Sequence, residues 1–173
     1  RNAARGGPPP HTGVTNIHEH PRRDALTPPR VVAVERYLPL ASQTSGVVRR
    51  AATLAAHVAR TPMAAISLID ADRMWFVGVH GFSSPRSATH DDGLCAGVVA
   101  GRLPLRVSDA LADSRLATNR FVRRHQVRFY ACLPFADARG NVLGAVTVMD
   151  TAPRDVDQVD DVGLEYVAAL VME

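Results

Sequence analysis

The chain has 173 residues, is 46% hydrophobic and carries a formal net charge of +3. That is enough apolar material for one packed core, and no run approaches the ~18 consecutive apolar residues a membrane helix needs. All 20 basic residues are arginine; residues 1–30 hold five of them against Glu19 and Asp24, so the excess positive charge belongs to the N-terminal segment and not to a folded nucleic-acid surface.

Residues 1–29 contain GGPPP, HPRR and TPP and no periodic apolar face, the composition of an arm or linker. His18 and His20 fall on one side of an extended segment there, but no third or fourth ligand stands nearby to complete a metal site. From Val31 the pattern is helical: Val31, Val34, Tyr37 and Leu38 share a face that Pro39 stops. SQTSG at 42–46 offers start signals for a second helix, with Val47, Ala51, Leu54 and Val58 as its stripe and Pro62 beyond its end. MAAISLID (63–70) and MWFVGV (74–79) read as two strands of a hairpin turning at Asp72.

Residues 81–93 read as loop, LCAGVVAG (94–101) as a short helix capped by Asp91 or Asp92, and LPLRVSDA (103–110) as a short strand. Residues 111–126 are polar, with room for one or two helical turns; Arg120, Arg123, Arg124, His125 and Arg128 form a basic cluster, read as a solvated loop or ligand edge. Residues 128–137 and 141–150 are strands of a second hairpin, with Gly140 free to take positive φ. A last helix starts around Asp157 and Asp160, with Val159, Val162, Tyr166, Val167, Leu170 and Val171 as its stripe. It is still running at Glu173, and with Arg1 as first residue the chain reads as a piece of a longer protein. The element order predicts an α+β fold, an antiparallel sheet with helices packed on it. Cys95 and Cys132 form neither a CxxC pair nor a disulfide framework, which points to a reduced, cytoplasmic setting.

Four stretches in order, AAISLIDADRMWF (64–76), LCAGVVAGRLPLRVSDALADSRLATN (94–119), RFYACLPF (128–135) and GNVLGAVTVMDTAPR (140–154), resemble a GAF domain of the bacterial sensory type found with histidine kinases, diguanylate cyclases and phosphatases. The resemblance covers residues 30–173. It implies a central antiparallel sheet with the terminal helices on one face, and a small-molecule pocket on the other, beneath the 81–126 connections. It also implies a homodimer through the terminal helices, signalling to a partner kinase, cyclase or phosphatase, with no nucleic-acid or membrane partner. Gly93-Leu94-Cys95 stands where such domains often read Ser-Phe-Cys, and Cys132 stands where Gly is usual. NRFVRR (119–124) is not the cyclic-nucleotide signature, and no His follows either cysteine as bilin attachment would need. Free methionine sulfoxide reductases share the fold, and Cys95 matches one of their cysteines, but RLATN (115–119) lacks the second.

No serine-nucleophile motif, P-loop or HExxH is present. The chain reads as a non-catalytic, small-molecule-binding regulatory module, with a thiol redox sensor or divergent sulfoxide reductase built on Cys95 as the alternative. The expected ligand-binding residues are Trp75, Phe76, Cys95, Asp109, Phe121, Tyr130 and Cys132; no catalytic or metal-ligating residue is assigned, and the cofactor is unknown. Trp75 and Phe76 point to opposite faces of one strand. Asp109 serves either as a turn cap or as a ligand anchor. The local charge around Cys95 gives no clear activation, since a helix N-terminus lowers a thiol pKa and nearby carboxylates raise it. Alternation through RFYACLPF puts Phe129, Ala131, Leu133 and Phe135 toward the helices, and Tyr130 and Cys132 toward the pocket.

Overall fold

Apolar strands with two covered faces dictate the architecture of this chain. The computed structural model describes residues 28–43, 45–90 and 94–173. The expected arm over residues 1–29, with His18 and His20, and the expected caps Asp91 and Asp92 lie outside the described residues, apart from the first helical turn at Pro28.

Six strands form one antiparallel sheet: β1 (Met63–Ile69), β2 (Arg73–His80), β3 (Ser87–Thr89), β4 (Leu105–Val107), β5 (Phe129–Ala136) and β6 (Val142–Asp150), in the order β3-β2-β1-β6-β5-β4. Every residue of β1 and β6 is buried, because these central strands are covered on both faces. The expected α+β fold with its two hairpins is therefore present. The first hairpin turns at Asp72 as expected, and Asp70 fastens the turn: its Oδ1 accepts from the amides of Asp72 and Arg73 at 2.9 and 2.7 Å. The second turns at Gly140, with φ 79°. β3 falls in the segment read as loop; it is a three-residue edge strand, too short to show an alternating pattern.

One face carries α1 (Pro28–Gln43), α2 (Ser45–Val58) and α5 (Asp161–Met172). Their core contains Val34, Ala52, Ala55, Ile66, Phe129, Leu133, Val146 and Leu164. Pro39 does not stop α1. The carbonyl of Glu35 loses its intrahelical donor there, but Glu35 and Pro39 are exposed and solvent can take that carbonyl. The stripes of the other two helices are also rotated from expectation. On α2 the sheet is met by Val48, Ala51, Ala52, Ala55 and Ala56, while Val47 and Leu54 are exposed. On α5 it is met by Leu164, Val167 and Ala168, while Val162, Tyr166 and Leu170 are exposed. A short 3₁₀ turn, Val156–Gln158, precedes α5, and Asp160 caps that helix by accepting from the amide of Gly163 at 2.9 Å.

The opposite face carries α3 (Cys95–Gly101) and α4 (Arg120–His125). The residue at the N-cap of α3 is Leu94, which makes no side-chain capping bond. Asn119 caps α4 by accepting from the amides of Phe121 and Val122.

Candidate functional site

The second face of the sheet is built from alternate residues of the same strands. Met63, Ile69, Met74, Tyr130, Cys132, Ala145 and Met149 pack there beneath Cys95, Val98 and Val99 of α3 and Val122 of α4. Two hydroxyls interrupt this apolar surface, Ser67 of β1 and Thr147 of β6, both nearly inaccessible to solvent. Cys95 Sγ lies 3.2 Å from Tyr130 Oη and 3.3 Å from Thr147 Oγ1, and Thr147 Oγ1 lies 3.4 Å from Cys132 Sγ. Ser67 Oγ has no partner among the described residues. It faces a void of about 10 Å³ lined by Cys95, Thr147, Tyr130, Phe76 and Phe121. That is room for about one water, so this face is nearly filled.

Two half-buried rings, Phe76 and Phe121, line the void, and two more pack against them. Phe121 and His125 of α4 lie against Phe76 of β2 and Phe82, with centroid separations of 4.6 to 6.3 Å. Burial among these rings, and then the Arg124 charge, hold His125 below its usual pKa.

Of the expected site residues, the structure brings together Phe76, Cys95, Phe121, Tyr130 and Cys132. Trp75 is not with them. It packs on the helix side, where its indole Nε1 donates to Asp70 Oδ2 at 2.6 Å. Adjacent strand residues face oppositely, so Phe76 takes the pocket side and Trp75 cannot. Asp109 is also away from the void. It accepts from the amide of Leu111 and is ion-paired with Arg128, whose guanidinium holds its carboxyl below the usual range. Its role is the turn-cap alternative. Two members of the basic cluster are engaged locally, Arg128 with Asp109 and Arg123, whose Nε donates to the carbonyl of Ala117 at 2.9 Å.

Residue reasoning missed Ser67 and Thr147. Their signal was a hydroxyl in the middle of an otherwise apolar strand, at a position sharing the face of Tyr130 and Cys132.

The electrostatics of Cys95 also differ from expectation. Its thiol is pulled down to about 7, first by its hydrogen bond with Cys132 and then by Thr147 and Tyr130, against the opposing effect of burial. Burial pushes Cys132 and Tyr130 up. The activation thus comes from across the sheet, not from the local charge of the α3 segment. Among the described residues, no three His, Cys, Asp or Glu side chains cluster as a metal site.

An antiparallel sheet with three helices on one face and, on the other, an apolar surface broken by two hydroxyls beneath two short helices defines an α+β domain. A family profile for the GAF domain matches residues 40–172, and the chain belongs to that family. It is a sensory, regulatory module of signal transduction. A cyclic di-GMP phosphodiesterase of Pseudomonas aeruginosa is 38% identical over 115 residues, 65% of this chain but 19% of that protein, so the chain spans about a fifth of the relative it matches. Among solved structures, the GAF domain of an Acinetobacter phosphoenolpyruvate-protein phosphotransferase superposes with TM-score 0.59 at 15% identity, over 84% of this chain and 92% of that one. The free methionine-R-sulfoxide reductase of Neisseria meningitidis superposes with TM-score 0.59 at 14% identity, over 83% and 88%. At these identities the superpositions speak to the fold.

Proposed function

We propose that residues 30–173 form the small-molecule-binding input domain of a cytoplasmic signalling protein, non-catalytic and homodimeric, with residues 1–29 as an arm. The observation that carries ligand binding is Ser67, a hydroxyl with no partner among the described residues, facing a void lined by Phe76 and Phe121, on which Phe82 and His125 pack. A buried hydroxyl without a partner costs about 1–3 kcal/mol. A ligand that displaces the rings and bonds Ser67 and Thr147 recovers it. The lack of a second cysteine in RLATN (115–119) weighs against the reductase reading.

The homodimer reading rests on Val162, Tyr166 and Leu170, spaced i, i+4, i+8 on α5, beside Val47 and Leu54 of α2; exposures run from 43% to 70%. Two such helices from each of two copies would bury this stripe as a helical bundle and carry the signal to an attached effector, for which the phosphodiesterase relative supplies the class. Of the described helices, none is long and apolar enough to cross a membrane.

The test is a thermal-shift panel of cyclic dinucleotides, purine nucleotides and amino acids on wild type and Ser67→Val. The reading expects one chemical class to raise the melting temperature of wild type only. Equal shifts in both proteins would remove Ser67 from the site.

A further inference from the structure

One sulfur, Cys95, stands in the wall of the void and a second, Cys132, lies behind it; ligand binding uses neither as a nucleophile. Cys95 opens α3 and Cys132 sits in the middle of β5, 37 residues apart in sequence. In the fold both sulfurs lie against the one hydroxyl of Thr147, at 3.3 and 3.4 Å. Both are free thiols. We propose that Cys95 and Cys132 are a peroxide-responsive dithiol, closing to an intramolecular disulfide that pins α3 to β5.

The roles follow from the surroundings. Cys95 lines the water-sized void and receives hydrogen bonds that favour its thiolate, so it is the sulfur an oxidant meets. Cys132 lies behind it, and burial pushes its thiol up, so it is the resolving sulfur and must lose its proton as it attacks. The void passes hydrogen peroxide far more readily than a bulky organic hydroperoxide or an amino-acid sulfoxide.

The chemistry balances with hydrogen peroxide as the oxidant. The Cys95 thiolate attacks one peroxide oxygen; the S–O bond forms, the O–O bond breaks, and the departing hydroxide takes the thiol's proton as water. The sulfur of Cys132 then attacks the Cys95 sulfenic sulfur. The S–S bond forms, the S–O bond breaks, and hydroxide leaves with the Cys132 proton as a second water. Two thiols are oxidised and one peroxide is reduced to two waters; an external dithiol reverses the change. Closure to a bond of about 2.05 Å draws the two sulfurs together and ends their hydrogen bonds to Thr147 and Tyr130. That reshapes the floor on which the ligand reading depends, but the proposal stands without any ligand.

The experiment treats the whole chain with hydrogen peroxide or tert-butyl hydroperoxide and follows intact mass, mapped peptides and thiol loss. Wild type should lose two hydrogens and yield one peptide pair linked through residues 95 and 132, faster with hydrogen peroxide. Below pH about 7 the rate of thiol loss should rise about tenfold per pH unit and level off above it. Cys132→Ser should stop at a sulfenic acid trapped by a 1,3-diketone, and Cys95→Ser should give neither adduct nor link. Several results would overturn the proposal: no thiol loss in the folded wild type, disulfide-linked dimers instead of an internal link, or oxygen gained at Met74 and Met149 with both thiols intact. The wild-type pH profile and linkage map decide the matter even if a variant fails to fold.

Discussion

Ser67 is the residue whose chemistry is least satisfied. It is fully buried in β1, its backbone is paired on both sides, and its hydroxyl has no partner among the described residues. Ser67→Ala should therefore stabilise the ligand-free domain by ~1 kcal/mol, read from the urea midpoint at unchanged m-value. A loss of stability would mean that the hydroxyl is already bonded. Cys95 gives a second prediction at this scale. Its pKa is lowered from 9.0 to about 7 in the folded chain. A depressed folded pKa means stability that is fully present above the unfolded value and is lost as pH falls through the folded one. The melting temperature of wild type relative to Cys95→Ser should thus rise from pH 7 to 9, and a flat difference would place the thiol near its ordinary value. Alternation alone made the facing of Tyr130 and Cys132 legible in the sequence. It could not choose between Trp75 and Phe76, since either phase of β2 puts one aromatic on each face and only pairing with β1 settles which.

At the scale of elements, the strands were legible and the helix faces were not. α2 and α5 carry apolar residues around most of their circumference, so a periodic stripe could be drawn at more than one angle. The sheet selects by size. The backbone of α2 comes so close to β2 that a Cβ built on Gly78 would sit 2.5 Å from the carbonyl oxygen of Val48. The face that meets the sheet is Val48 and four alanines, while Val47 and Leu54 turn outward. Gly78→Ala should accordingly cost about 2 kcal/mol by forcing α2 off the sheet, whereas wild-type stability would show slack in that packing. α1 is fastened differently. Arg30 is 4% exposed, and its guanidinium donates to the carbonyls of Ile69 at 2.5 Å, Asp70 at 3.2 Å and Val142 at 3.3 Å. Arg30→Met should loosen α1 and lower stability by about 2 kcal/mol, with the earliest gain in amide exchange in α1. No apolar pattern could reveal this clasp, because an arginine in a helix reads as solvent-facing until its burial is seen.

At the scale of the molecule, the sheet divides two tasks. One face is a dry core beneath helices whose outer surface remains apolar; the other is a small polar floor under rings. If the outer stripe is a dimer seam, Tyr166→Asp should give a monomer in sedimentation velocity while leaving the fold intact, and an unchanged sedimentation coefficient would place the seam elsewhere. The sensing claim is tested most directly by native mass spectrometry of the protein purified from its own cells, beside its Ser67→Val variant. The account predicts wild type carrying one small molecule per chain and the variant at its bare mass; both proteins at their bare mass would contradict it.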